Sequence, residues 1–194
     1  MTDVRVLFAD DSQDTLDLLA TMTEGLGWTG SKFVVTATQM IDAVNQSEYV
    51  YDAIVADINY FNAEAGHRIT GITAAREIRK VMPNVPIVFI SAYVTSIIRE
   101  EVRRVCAEIV EKPFDIEKLF IRISQLVYWY RLSRRQDYDG PERRRSSVNH
   151  TNERRRMTDQ PIAVPERIKD TIIELRSTRK LNDERGRSKN SVGG

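Results

Sequence analysis

"YDAIVADINYFN", residues 51–62, ends an apolar run with an acid. Ala53, Ile54, Val55 and Ala56 have the pattern of a short strand buried on both faces. Asp57 follows, and nothing beside it in the sequence neutralises it. A carboxylate at the edge of an apolar interior is costly unless a cation or hydrogen-bond donors meet it. Distant parts of the chain must supply them.

Working outward, the first 130 residues alternate short β-rich runs with helical periods. Val4–Ala9 is predicted as the first strand, followed by Asp10, Asp11 and Ser12. Leu16, Leu19, Met22 and Leu26 recur at helical spacing, with Gly25 and Gly27 as the stop. Phe33–Thr36 is a second strand, and Thr38 is placed to cap a helix carrying Met40, Ile41 and Val44. Ile72, Ala75 and Ile78 mark a helix that stops before Pro83. Ile87–Ile90 is a fourth strand, a helix near 95–107 follows, and Ile109–Val110 is a fifth strand. Asp115 is placed to cap a last helix with Leu119, Ile123, Val127 and Tyr130. Five strands alternating with five helices predict an α/β fold with a doubly wound, five-stranded parallel sheet.

In such sheets the functional crevice lies beyond the carboxyl ends of the strands. Asp10, Asp11, Asp57, Ser91 and Lys112 all follow or end strands, so they are expected on one rim. Three carboxylates together repel and drive each other toward protonation. A divalent cation with oxygen ligands removes the conflict, and Mg2+ fits because it keeps several waters and needs few protein ligands. Lys112 adds a fixed positive charge and Ser91 a hydroxyl. Together they suit the equatorial oxygens of a transferring phosphoryl group, with Asp57 as nucleophile and an acyl phosphate as product. Taken singly, an aspartate after a strand caps the next helix, Lys112 is a surface lysine and Ser91 forms a turn. None of these separate readings explains the joint placement.

"VLFADDSQD", "AIVADIN", "IVFISAY" and "EKPF" resemble the receiver domain of two-component response regulators, over about residues 3–130. The resemblance implies a flavodoxin-like receiver fold and phosphotransfer from a histidine kinase or phosphotransfer protein to Asp57. It implies Mg2+ held by Asp10, Asp11, Asp57 and the backbone carbonyl of Asn59, with Ser91 and Lys112 reading the phosphoryl group. Two features depart from the family. The loop from Ile58 to Gly71 is long and holds His67 and Arg68. Ile109 stands three residues before Lys112, where receivers often carry an aromatic switch. Tyr93, two residues after Ser91, occupies a position that varies in the family and tunes phosphoryl lifetime. A haloacid-dehalogenase-type phosphatase is disfavoured, because Asn59 stands where such enzymes carry an acid-base aspartate.

The near-neutral total, 29 Lys+Arg against 28 Asp+Glu, hides a split. Residues 1–130 hold 12 basic and 18 acidic side chains, net −6, and residues 131–194 hold 17 and 10, net +7. The predicted organisation is a receiver at 1–131, a basic linker at 132–163, an amphipathic helix at 164–182 and a disordered end at 183–194. The linker is poor in apolar residues and repeats a motif, "PERRRSS" at 141–147 and "NERRRMT" at 152–158. In the helix, Ile168, Ile172 and Leu175 share one face and Pro165 suits its first turn. The tail is too short for a helix-turn-helix effector and carries no P-loop or cyclase signature. The single cysteine, Cys106, cannot form an intramolecular disulfide; it is expected to be buried, in a reducing cytoplasmic setting. No apolar run is long enough to cross a bilayer, so no membrane partner is expected.

The function these features imply is a phosphorylation-controlled signalling protein, not an enzyme acting on a separate substrate. It would act through contacts with an output protein, with a second copy of the chain as a further candidate partner. The alternative is a phosphorylation-controlled nucleic-acid binder using the arginine-rich tail.

Overall fold

The structure is a computed structural model and describes residues 3–47, 50–58 and 70–134. The chain divides into two units, Met1–Ile162 and Ala163–Gly194. The second unit, with the predicted helix at 164–182 and the end at 183–194, lies outside the described residues. So do the arginine repeats and the loop residues Asn59, His67 and Arg68.

The elements run β1 (Val6–Ala9), α1 (Gln13–Leu26), β2 (Lys32–Val34), α2 (Ala37–Asn45), β3 (Ala53–Asp57), α3 (Gly71–Val81), β4 (Ile87–Ser91), α4 (Ser96–Arg104), β5 (Glu108–Glu111) and α5 (Ile116–Arg134). All strand pairs are parallel, in the order β2-β1-β3-β4-β5. The five-strand, five-helix alternation expected from sequence is the observed fold. Every residue of β1, β3 and β4 is buried, as a sheet covered on both faces requires.

Alternate side chains divide between two layers. Leu7, Ile54, Ala56, Ile87 and Phe89 pack with Met40, Ala75, Ile78 and Val102 of α2, α3 and α4. On the other face Phe8 stacks on Phe33 and Phe120, with ring centroids 5.2 and 6.1 Å apart, and Trp28 lies 5.4 Å from Phe120. The sheet is thereby anchored to α5.

Several local expectations are corrected. Gly27, in the left-handed region at φ 68°, ends α1, while Gly25 lies inside its last turn. Thr36 rather than Thr38 caps α2: its hydroxyl accepts from Gln39 N at 3.1 Å, and Gln39 Oε1 accepts from Val35 N at 3.0 Å. That reciprocal pairing is close to a Thr-x-x-Gln capping box and leaves β2 only three residues. Cys106 is exposed, not buried. It occupies the left-handed position after α4, φ 51°, where its N–H donates to Arg103 O and the next N–H, of Ala107, donates to Val102 O. This is a Schellman closure with cysteine in the place glycine usually takes. Ile109 is only half-buried, as are its strand neighbours on the sheet edge. Asp115 starts α5 as expected, accepting from Glu117 N at 3.0 Å and Lys118 N at 3.3 Å. α5 runs to Arg134, through the position where the linker was drawn.

Candidate phosphoacceptor site

The chain leaves β1 toward β2 on one side and later enters β3 on the other, so the sheet order reverses between β1 and β3. That reversal opens a crevice at the carboxyl ends of both strands. Asp10 follows β1, its backbone N–H donating to Val34 O at 3.2 Å. Asp57 is the last residue of β3, paired with Ile90. Lys112 follows β5, and its N–H donates to Ser91 O at 2.8 Å. The Lys112–Pro113 peptide is cis.

The side chains converge. Carboxylate oxygens of Asp10, Asp11 and Asp57 lie within 4.8 Å of one another. Lys112 Nζ donates to Asp10 Oδ2 and Asp57 Oδ2, each at 3.0 Å. Asp10 and Asp57 are buried while Asp11 is exposed, so the cluster is sealed below and open above. The cation that Asp57 requires is Lys112, 55 positions away in sequence, and it is shared with Asp10, 47 positions away on the other side.

The electrostatics differ in emphasis from the sequence expectation. Burial is the main reason the Asp10 carboxyl sits above its ordinary value. The Ser12 N–H, 2.9 Å from Asp10 Oδ1, and Lys112 pull it down, and repulsion from Asp57 adds only a smaller push. Burial opposes the Lys112 ammonium, but its bonds to Asp57 and Asp10 outweigh that, and its pKa is raised. The ammonium therefore stays charged at neutral pH.

Ser91 reaches the same rim and is fully buried, yet its hydroxyl is engaged locally. It donates to Tyr93 O at 2.9 Å and accepts from Tyr93 N at 3.1 Å. Here the turn-former reading describes its contacts, and Tyr93 itself projects outward, 75% exposed. The Ser12 amide was missed as a partner of Asp10. The signal for it was present, because an Asp-x-Ser step at a strand end is a common turn in which the aspartate accepts from the amide two residues on. Ser12 also caps α1, its hydroxyl accepting from Thr15 N at 3.3 Å.

Among the described residues the donor set suits a hard divalent cation such as Mg2+: only carboxylate oxygens, on a rim open to water, with no nitrogen or sulfur ligand in the cluster. The class that fold and site define is a doubly wound α/β domain with an acidic, lysine-bearing rim at its switch point. Residues 6–124 match the response regulator receiver domain, well over half of the 194 residues, and the chain belongs to that family. It is thus placed among the phosphoacceptor signalling domains of two-component systems.

No curated protein matches the chain. Among solved structures it is similar to a response regulator receiver protein from Sinorhizobium medicae WSM419, with 28% identity, a TM-score of 0.54, and 66% of this chain and 98% of that one covered. A CheY-like receiver domain protein from Methanospirillum hungatei JF-1 shares the fold at 16% identity and a TM-score of 0.61, over 68% of this chain and 99% of that one. The receiver domain of sensor histidine kinase PA1611 from Pseudomonas aeruginosa PAO1, solved with magnesium coordinated in its active-site cleft, does so at 21% identity and a TM-score of 0.53, over 66% and 99%.

Proposed function

We propose that the protein is a response regulator that accepts a phosphoryl group on Asp57 from a histidine kinase or phosphotransfer protein and signals through protein contacts. The observation that carries this reading is the Lys112 ammonium, 3.0 Å from both Asp10 and Asp57 in a three-carboxylate cluster. In the transfer, an Asp57 carboxylate oxygen forms a bond to phosphorus as the bond to the donor's imidazole nitrogen breaks. The electron pair stays with the imidazole, and the product is an acyl phosphate. Lys112 is within reach of the oxygens that gain charge, and it orients Asp57 before transfer. Asp10, Asp11 and Asp57 would hold Mg2+, with the Asn59 carbonyl implied as a further ligand from outside the described residues. The metal, when bound, would neutralise phosphoryl charge. Ser91 would exchange its bonds to Tyr93 for one to the phosphoryl group.

Incubating the full chain with Mg2+ and acetyl phosphate is expected to add one phosphate, labile to hydroxylamine. Asp57→Asn should abolish it, and Lys112→Ala should slow it and uncouple it from any conformational response. Equal incorporation in Asp57→Asn by intact-mass spectrometry would refute the assignment. Asp11→Ala should weaken Mg2+ binding in a titration.

A further inference from the structure

We propose that Gly71, the first residue of α3, is the positioning residue that seats Asp57 for phosphoryl transfer. This rests on the reading of Asp57 as phosphoacceptor. The chain leaves β3 at Asp57 and returns at Gly71, whose N–H donates to Ile58 O at 3.1 Å. That bond lays the first turn of α3 directly against the end of β3.

The approach is so close that no side chain fits. A Cβ on Gly71 would stand under 3.0 Å from the Asp57 carbonyl oxygen, and 3.3 Å from both the Asp57 carbonyl carbon and Phe89 Cε1. The obstructing atom is main chain and cannot swing aside. It is held in the ladder, where Asp57 pairs with Ile90 and Ile58 N donates to Ile90 O at 3.2 Å. Phe89, behind it, is fully buried. Gly71 does not occupy the left-handed region, so glycine is needed here for close approach and not for conformational freedom. Gly30 makes the contrast: a Cβ there meets Arg5 Cγ at 2.6 Å and Asp3 Oδ2 at 2.7 Å, both side-chain atoms that can yield.

Gly71 therefore acts through Asp57. A methyl group at this position must displace either the start of α3 or the Asp57 main chain. The latter shifts the carboxylate away from Lys112 and from its two acidic neighbours. A misplacement of about 1 Å in a reacting group is enough to slow a reaction on the order of 100-fold. A role confined to the helix predicts the opposite sign, because alanine is the better helix residue.

The test compares full-length wild type with Gly71→Ala, Thr70→Ala and Gly30→Ala. It measures the initial rate of acetyl-phosphate labelling at saturating Mg2+, beside thermal melts by circular dichroism. Gly71→Ala is expected to label about 10- to 100-fold more slowly at temperatures where it is folded, and Gly30→Ala at the wild-type rate. Thr70→Ala removes the hydroxyl that accepts from Thr73 N at 3.2 Å. It loosens the first turn without adding bulk, so it should lower the melting temperature while the folded protein labels at the wild-type rate. Folded Gly71→Ala labelled at the wild-type rate would overturn the proposal. If Gly71→Ala does not fold in buffer, it is labelled in trimethylamine N-oxide, which favours the folded state, and a wild-type rate there overturns the proposal equally. Wild type that takes no phosphate would instead overturn the phosphoacceptor reading, and this proposal with it.

Discussion

Ile109 shows how a single side chain is read differently once its strand is placed. From sequence it occupies the position of the family's aromatic switch, and full burial there would make truncation cost about 2–4 kcal/mol. In the fold it is half-buried on an edge strand and packs against the α2–α3–α4 layer. Ile109→Ala is therefore expected to cost only about 1–2 kcal/mol, below the range for fully buried sites. Urea denaturation measures this, and acetyl-phosphate labelling should remain at the wild-type rate. A large loss of signalling at unchanged stability would instead identify Ile109 as a switch residue. Asp10, Asp57 and Lys112 were legible because each ends or follows a strand, and parallel strands deliver their carboxyl ends to one rim. The Ser91 rotamer was not legible, since a hydroxyl at a strand end can serve the site or its own turn equally well.

Among the elements, α5 is tied to the opposite end of the sheet by an ion pair that neither segment announces. Arg131 Nε donates to Asp52 Oδ1 at 2.7 Å, and a terminal nitrogen to Oδ2 at 2.5 Å. Asp52 also accepts from Arg5 N at 2.9 Å. The Asp52 side chain is 9% exposed and that of Arg131 25%, so removing the arginine strands a mostly buried carboxylate. Arg131→Ala should cost roughly 3 kcal/mol, the lower end for a broken buried pair. Arg122→Ala should cost less, because its partner Glu108 is 37% exposed. Equal losses from the two variants in urea melts would contradict this ranking. Element types and order were readable from periodicity. Cap identities were missed where two candidates stood close together, as with Thr36 and Thr38, because the choice depends on where β2 stops pairing.

At the scale of the whole molecule the charge is divided, net −6 over residues 1–130 and net +7 over residues 131–194. Arg143–Arg145 and Arg154–Arg156 lie in the segment proposed as a basic linker, outside the described residues. We predict that they contact acidic protein surface. The nucleic-acid alternative makes a different quantitative claim. Six arginines neutralising DNA phosphates would give log affinity a slope of roughly −5 against log salt, with little sequence preference. Fluorescence anisotropy with labelled duplex and single strands tests this for the full chain and for a truncation after Arg134, which keeps α5 whole. Absence of binding near physiological salt is the expected result. Micromolar, steeply salt-dependent binding lost on truncation would establish the alternative. Among the described residues no helix is long and apolar enough to cross a membrane.

The alternation of buried strands with amphipathic helices was determined by the sequence alone, because side-chain periodicity is a local property that survives without knowledge of partners. With it came the rim on which Asp10, Asp11, Asp57, Ser91 and Lys112 had to meet. Only the tertiary structure decided which of them touch: Lys112 bridges Asp10 and Asp57, while Ser91 turns to Tyr93. It alone brought Arg131 to Asp52, 79 residues apart, and Gly71 against the Asp57 carbonyl. Contacts of this kind depend on distances across the fold of a few ångströms, and such distances are set by packing between elements rather than by any pattern within one.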